Sequence, residues 1–226
     1  MDNHQLLNLL QISDSLFPIG GFTLSNGLET LVQQERVTTP GELEGYLRDY
    51  LHILPWNELG AACLACRLGE DPEQLQALDG LMAAGRSPSE LRMGSKRLCQ
   101  RFIKVQERIQ QTPCLTRYAQ LLKQGQCFGN HSIAVGLFWR DLGIGPEQGL
   151  IPYCYSLLTT MVTNAVKLIP LSQLEGQRVL HALFPAMEGA AAQAQKVTLE
   201  EIGISGAGFD LCSMEHETLY SRIYIS

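Results

Sequence analysis

Short helix-start signals recur along this chain and constrain its fold more than any other feature. Thr39-Pro40-Gly41-Glu42 and Ser87-Pro88-Ser89-Glu90 each place a hydroxyl at the cap, proline at the first helical position and glutamate at the third. The glutamate side chain can then accept a hydrogen bond from the backbone N–H of the cap residue. The N–H that proline lacks would have no helical partner at the first position, so its absence costs nothing. The same proline position, with weaker cap residues, occurs in Asp71-Pro72-Glu73 and Gly145-Pro146-Glu147. Ser172 and Glu175 have the spacing of a capping box but no proline between them. Such a chain is expected to be built from helices.

The segments after these starts repeat apolar residues every three or four positions, which is the helical period. The clearest repeats are Leu43, Tyr46, Leu47, Tyr50, Leu51 and Leu54, and then Leu91, Leu98, Phe102, Val105 and Ile109. Strand-like alternation is confined to 220–225, which fits an extended tail or the end of a helix. We therefore predict an all-α fold of about nine or ten helices with little or no β-structure.

No long or low-complexity linker divides the chain, so a single domain is predicted over residues 1–226. Its C-terminal tail, about 210–226, is expected to order only with partners, as terminal segments often do. The most apolar stretch, 150–169, is interrupted by Pro152, Asn164 and Lys167. It is a poor membrane span and a good core helix, so no membrane partner is expected.

Charge and cysteine content narrow the classes of partner and compartment. The 226 residues carry a formal charge of −6, whereas general nucleic-acid binding needs a clear excess of lysine and arginine. We therefore expect no nucleic-acid partner. The seven cysteines are an odd number and no secretion signal is visible, which predicts free thiols in the cytoplasm.

Two cysteine patterns are candidates for metal or redox chemistry. Cys63 and Cys66 have the spacing of a redox pair or half a zinc site, but the alanines and leucines around them favour packing in a buried helix. Cys212 and His216 would share one helical face and could bind a soft metal if a symmetric partner completed the ligand set. Ordinary structural roles remain the alternative for both pairs.

The predicted helix that begins near Pro88 carries an unusual density of positive charge. Four of its basic residues fall on one helical stripe, namely Arg97, Arg101, Lys104 and Arg108. A solvated face balanced by Glu107 and acidic neighbours is one interpretation, and a docking strip for an acidic protein surface is the other.

The sequence contains none of the common catalytic or nucleotide-binding motifs that we searched for. There is no phosphate-binding loop, nucleophile elbow, H-E-x-x-H helix or paired-carboxylate arrangement in the sequence. We therefore expect no catalytic residues and no tightly bound cofactor. A helical enzyme with an unrecognised thiol nucleophile remains as an alternative, and would require a cysteine of depressed pKa beside a histidine.

The stretch 14–29 differs in kind from the rest of the chain. Its glycines and proline predict an unusual backbone path between two helices, the second of which Ser25 could cap. The structural residues of this motif are Pro18, Gly20, Gly21, Ser25, Gly27 and Glu29. Such a segment either packs as a simple connection or lets a partner's backbone approach closely.

At this stretch the sequence resembles the UreF family of urease accessory proteins, whose hallmark is F-P-x-G-[GS]-[FY]-x-x-S-x-G-L-E. Every position is filled from Phe17 to Glu29. The similarity continues through 87–92, 101–102, 129–131, 163–173 and 176–177, and ends with His216-Glu217-Thr218-Leu219-Tyr220-Ser221-Arg222-Ile223-Tyr224-Ile225-Ser226. Several separated motifs in the right order are more specific than any one of them.

The resemblance implies an all-α protein that is not an enzyme and acts as a scaffold in urease maturation. Members of the family dimerise, bind UreD (also called UreH) and recruit the GTPase UreG. The assembly then delivers nickel to apo-urease under GTP control. Nickel is therefore expected to be handled by the assembled complex.

By position in the motifs, partner contacts are expected first at Phe22 and Arg222 and then at Tyr220 and Tyr224. Phe22 stands where the family often has tyrosine, so packing is the expected contact there. A further surface, facing the GTPase or a second copy, is expected at Lys167 and Gln173. The alternative function is direct nickel carriage by this chain through Cys212 and His216.

Overall fold

The computed structural model describes residues 1–204 and 206–224, apart from the side chain of Phe22. Twelve α-helices lie in these ranges: α1 (Asn3–Ser13), α2 (Leu28–Gln33), α3 (Pro40–Ile53), α4 (Glu58–Leu68), α5 (Pro72–Gly85), α6 (Ser89–Ile109), α7 (Pro113–Lys123), α8 (His131–Asp141), α9 (Pro146–Leu168), α10 (Gln173–Ala182), α11 (Phe184–Ala194) and α12 (Ala207–His216). Short 3₁₀ turns occupy Gly21–Thr23, Leu54–Trp56 and Leu199–Glu201.

No strand occurs in the described ranges, which confirms the all-α prediction. The helices outnumber the nine or ten expected because some begin without a sequence signal. Neither α2 nor α12 has a side-chain cap, and only Leu183 separates α10 from α11. No helix in these ranges is both long and apolar enough to cross a bilayer.

Four of the five predicted helix starts lie where the sequence indicated, since α9 also begins at Pro146 after Gly145. Thr39 and Ser172 form capping boxes with Glu42 and Glu175, and Asp71 accepts two backbone N–H bonds at the start of α5. Each cap satisfies donors that the first helical turn leaves unpaired. Local chemistry thus sets where α3, α5 and α10 begin.

The predicted capping box at Ser87 is wrong. α6 begins at Ser89, its cap residue is Pro88, and no side chain caps it. The carboxylate of Glu90 instead bonds to His216 and Arg222, far along the chain. In this position the carboxylate bonds an imidazole and a guanidinium, whereas a helix cap would offer it a single backbone N–H, which explains the change of partner.

The centre of the fold is the pair α4 and α8. A β-carbon on Gly136 would lie 2.1 Å from the carbonyl oxygen of Ala62, so these backbones touch without intervening side chains. Around the pair, α6, α7 and α9 pack on α8, while α1, α10 and α11 pack on α9. Cys63 and Cys66 lie buried on α4 as packing residues, as predicted, and their thiols are free.

A buried carboxylate organises the loop between α7 and α8. Asp79 is 2% exposed and accepts from the Tyr118 hydroxyl at 2.5 Å and from the N–H groups of Phe128 and Gly129 at 2.5 and 3.1 Å. The Tyr118 oxygen accepts in turn from the N–H of Asn130 at 2.9 Å. We call Asp79, Tyr118 and the backbone of 128–130 the Asp79 cluster.

Candidate functional site

The glycine-rich segment follows the backbone path that its composition predicted. Gly20 and Gly27 have φ of 79° and 85°, in the left-handed region that favours glycine. A β-carbon on Gly20 would lie 2.5 Å from the Arg101 guanidinium, and one on Gly27 would lie 2.9 Å from the β-carbon of Cys212. Within this chain, the close approaches that these glycines permit are made by α6 and α12.

Glu29, at the start of α2, is the anchor of the C-terminal tail. It is 1% exposed, although a carboxylate is rarely buried without partners. Its two oxygens accept from the N–H of Ile223 at 2.7 Å and the N–H of Tyr224 at 3.0 Å, and bond the Nε2 of His216 at 3.0 Å. A residue near one end of the sequence thereby fixes the backbone of the other end.

Glu90 supplies a second carboxylate to the same group of residues. It bonds the Nδ1 of His216 at 2.8 Å and accepts from the Arg222 guanidinium at 2.6 Å. Carboxylate oxygens of Glu29 and Glu90 therefore occupy both ring nitrogens of His216. Glu29, Glu90, His216 and Arg222 are called the Glu29 cluster below.

The tail beyond the cluster is partly buried and partly presented to solvent. Tyr224 is 8% exposed, and its hydroxyl donates to the carbonyl oxygen of Asn164 at 3.3 Å. Burial of the hydroxyl, with a smaller effect from the nearby Glu29, raises the pKa of Tyr224. Tyr220 is fully exposed and Ile223 is 66% exposed. The anchored backbone therefore holds two large side chains in water at a defined position.

The structure brings some of the predicted partner residues together and separates others. Arg222 belongs to the Glu29 cluster, and Tyr220 and Tyr224 flank it. Lys167 is exposed in the last turn of α9, one turn beyond the carbonyl that Tyr224 reaches, while Gln173 is exposed at the start of α10.

Phe22 lies in the turn Gly21–Thr23, and its side chain is outside the described residues. Pro18 is exposed and Ser25 is buried. The Ser25 hydroxyl accepts from the Glu29 N–H at 3.4 Å, although the cap position of α2 is Gly27. Ser25 thus supports the first turn of α2 from a position two residues before the cap.

The contacts of His216 leave it no free ring nitrogen for a metal. The ring is fully buried, and both of its nitrogens bond carboxylates. Cys212, one turn before His216 on α12, packs against Gly27 at the start of α2. Within the described ranges, no three histidine, cysteine, aspartate or glutamate side chains are grouped to hold a metal ion. His216 is therefore a structural residue that links Glu29 to Glu90.

The cysteines also lack the electrostatic setting of a nucleophile. Burial raises the pKa of all seven thiols, for example to about 11 at Cys66 and about 12 at Cys127. A catalytic thiol needs the opposite shift. The alternative of a thiol enzyme therefore gains no support from these side chains.

A cavity of about 120 Å³ lies beneath the glycine-rich segment. Polar groups in its wall include Ser95, Ser132, Tyr153 and the ion pair between Glu58 and Arg86. His131, the first residue of α8, also lines it, and burial, with a smaller effect from Arg86, lowers the pKa of its imidazole to about 4. His131 is therefore neutral at ordinary pH.

Sequence reasoning missed two residues of this site. Glu90 was assigned to a helix cap, and Asn164 was noted only as an interruption of an apolar stretch. Asn164 is fully buried, and its amide donates to the carbonyl oxygen of Leu24 at 2.9 Å. A polar side chain at a core position of an apolar helix was the available signal, because such a group needs a specific partner.

Comparison with known proteins gives the family. The model of the UreF family matches residues 37–184. This chain belongs to the UreF family. The match covers the core from α3 to α10, whereas the Glu29 cluster lies mostly outside it, in segments that full-length relatives also span.

Relatives from several bacteria match almost the whole of this UreF-family chain. The urease accessory protein UreF of Actinobacillus pleuropneumoniae is 34% identical over 226 residues, covering 98% of this chain and 99% of its own length. The protein of the same name from Streptococcus salivarius is 30% identical, covering 97% and 94%. That from Bacillus sp. strain TB-90 is 29% identical, covering 99% and 100%. The resemblance predicted from the motifs is thus confirmed.

Proposed function

We propose that this chain is a non-enzymatic scaffold of urease maturation that binds UreD (UreH) and recruits the GTPase UreG. The assembly then inserts nickel into apo-urease under GTP control, with nickel held by the complex. The proposal rests on the UreF family membership, and it places the chain in the cytosol, where its seven thiols stay free. A homodimer is part of the proposed assembly.

The observation that supports a scaffold most directly is the anchored tail. Tyr220 is fully exposed and Ile223 is 66% exposed, although both follow a helix whose last residue, His216, is fully buried. Large apolar side chains held in fixed positions suit a docking surface, because the entropy of ordering them has already been lost. The three bonds to Glu29 supply that rigidity.

The electrostatics of the site favour holding a partner over chemical reaction. His216 is bonded at both nitrogens and Arg222 is paired with Glu90, so neither side chain is free to move a proton to a substrate. The same bonds favour passage of nickel through the assembly over carriage by this chain. The exposed side chains would cover a partner surface of on the order of 800 Å² together with their neighbours.

The test uses purified UreD, UreG and apo-urease with the full chain. Tyr220→Ser with Ile223→Ser should lower capture of the accessory proteins at least about tenfold, since buried interface residues of this size are each worth about 1 to 2 kcal/mol. Leu81→Ser is the matched control, because Leu81 is a 40% exposed apolar residue on α5.

Urease activation is the second readout. The double variant should slow the appearance of urease activity, and the control should leave it unchanged. Activation that proceeds equally well without this chain would refute the proposal. Turnover of a small substrate by the purified chain alone would also refute it.

A further inference from the structure

The basic stripe on α6 is a contiguous face of like charge. At 100° per residue, positions 97, 101, 104 and 108 fall within about 60° of arc and span about 16 Å of helix. All four side chains, Arg97, Arg101, Lys104 and Arg108, are exposed. The formal charge of the chain is −6, so this face opposes the charge of the molecule as a whole.

The stripe is not neutralised within the described residues. The ion pairs found there involve Arg48, Arg86, Arg140, His216 and Arg222, and none joins a carboxylate to a residue of the stripe. Glu107, which the sequence offered as the compensating charge, is exposed at the edge of the stripe without an ion pair. No ion pair in this part of the chain therefore supports the interpretation as a self-balanced face.

The stripe is rigidly connected to the glycine-rich segment. Arg101 donates to the carbonyl oxygen of Ile19 at 3.2 Å, and Phe17 packs on Phe102 with ring centroids 5.8 Å apart. Between these contacts and α1, Leu16 is 86% exposed. A cationic strip next to a segment that carries an exposed apolar side chain has the composition that recognises an acidic surface with an apolar contact at its edge.

We propose that the basic stripe, with Leu16 at its edge, docks an acidic surface of another protein of the maturation assembly. The existence of that assembly rests on the proposed function above. A protein fits this face better than a nucleic acid does. No aromatic residue is interleaved with the four cations to stack on bases, and the charge of −6 repels a polyanion longer than the stripe.

Charge reversal is the first test. Arg97→Glu, Lys104→Glu and Arg108→Glu together change the formal charge from −6 to −12, since each reversal subtracts two. Arg101 is left in place because it holds the carbonyl of Ile19. The matched control reverses three exposed cations outside α6, Arg48, Arg178 and Lys196, and reaches the same total charge.

The stripe variant should lose about 10- to 100-fold in affinity for the purified accessory proteins at about 50 mM salt, and the difference from wild type should shrink at about 500 mM. The control should bind like wild type. Equal capture by the two triple variants overturns the inference. Failure of the wild-type chain to bind any accessory protein overturns the proposed function instead.

A second measurement does not depend on how well the reversed variants fold. The charge-conserving changes Arg97→Lys and Arg108→Lys give the stripe three amines, which a carbodiimide joins to carboxylates in direct contact. Mass spectrometry should find residues 97, 104 or 108 linked to aspartate or glutamate of a different protein. Links to this chain alone overturn the inference. Stripe-dependent binding of a DNA duplex without loss of protein capture would also overturn it and assign the face to nucleic acid.

Discussion

Asp79 and Glu29 are two buried carboxylates that each fix a segment without regular secondary structure. Each carboxylate bonds two backbone N–H groups and one side chain. Asp79 holds a loop whose two ends continue into core helices, whereas Glu29 holds the end of the chain. Loss of the first should disturb the whole fold, while loss of the second should release only the tail.

The largest effect is expected for Asp79→Ala. The Tyr118 hydroxyl and the N–H groups of Phe128 and Gly129 would be left without their acceptor, so stability should fall by about 3 to 5 kcal/mol. Urea unfolding followed by circular dichroism measures this loss. Asp49→Ala, on the exposed face of α3, is the control and should change stability by less than about 0.5 kcal/mol. Equal losses in the two variants would contradict the assigned role.

His131 follows the loop that Asp79 holds and gives that region a pH dependence. Its pKa is lowered from 6.5 to about 4, so the unfolded chain takes up a proton below pH 6.5 that the folded chain refuses until about pH 4. Stability is therefore lost as pH falls through this window, by about 3 kcal/mol at its lower end. His131→Gln should remove that part of the slope in urea unfolding curves recorded across the window. A variant with the slope of wild type would show that His131 is not responsible.

Glu29→Gln should release the tail with a smaller loss of overall stability, about 1 to 2 kcal/mol. A glutamine keeps the shape but replaces one acceptor oxygen with a donor that faces the N–H groups of Ile223 and Tyr224. Trypsin should then cleave after Arg222 at least about tenfold faster under native conditions, because cleavage follows the population of the opened tail. Glu73→Gln, an exposed change on α5, should cleave like wild type. An unchanged rate for Glu29→Gln would mean that Glu29 is not the anchor.

Arg222→Ala should have the smallest effect on stability, about 0.2 to 1 kcal/mol, because its ion pair with Glu90 is partly exposed. The bonds from Glu29 to Ile223 and Tyr224 remain, so hydrogen exchange of those two amides should rise far less than in Glu29→Gln. A tail as mobile as in Glu29→Gln would place the anchor at Arg222 instead.

The sequence predicted the fold class and several helix starts because those depend on neighbours in the chain. Thr39 and Ser172 find their partners three residues away, and the apolar period follows from the same local geometry. The motifs at the two ends of the chain include Glu29 and His216, which the structure joins by a hydrogen bond. The roles of individual residues depended on contacts across the whole chain.

Two residues show where local reasoning stopped. Glu90 has the correct spacing for a capping box, yet its partners are 126 and 132 residues away. His216 has helical spacing to Cys212, yet its partners are carboxylates on α2 and α6. Spacing identifies residues that share a face, but it does not identify what the fold places opposite them.

The separation between Glu29 and His216 has a consequence for synthesis on the ribosome. The two residues are 187 positions apart in the sequence. At a synthesis rate of about 5 to 20 residues per second, His216 is made on the order of 10 to 40 seconds after Glu29. During that interval its carboxylate stays hydrated, because His216, Ile223 and Tyr224 have not yet been made. A product terminated before residue 216 would contain the central helices but would leave Glu29 without these three partners.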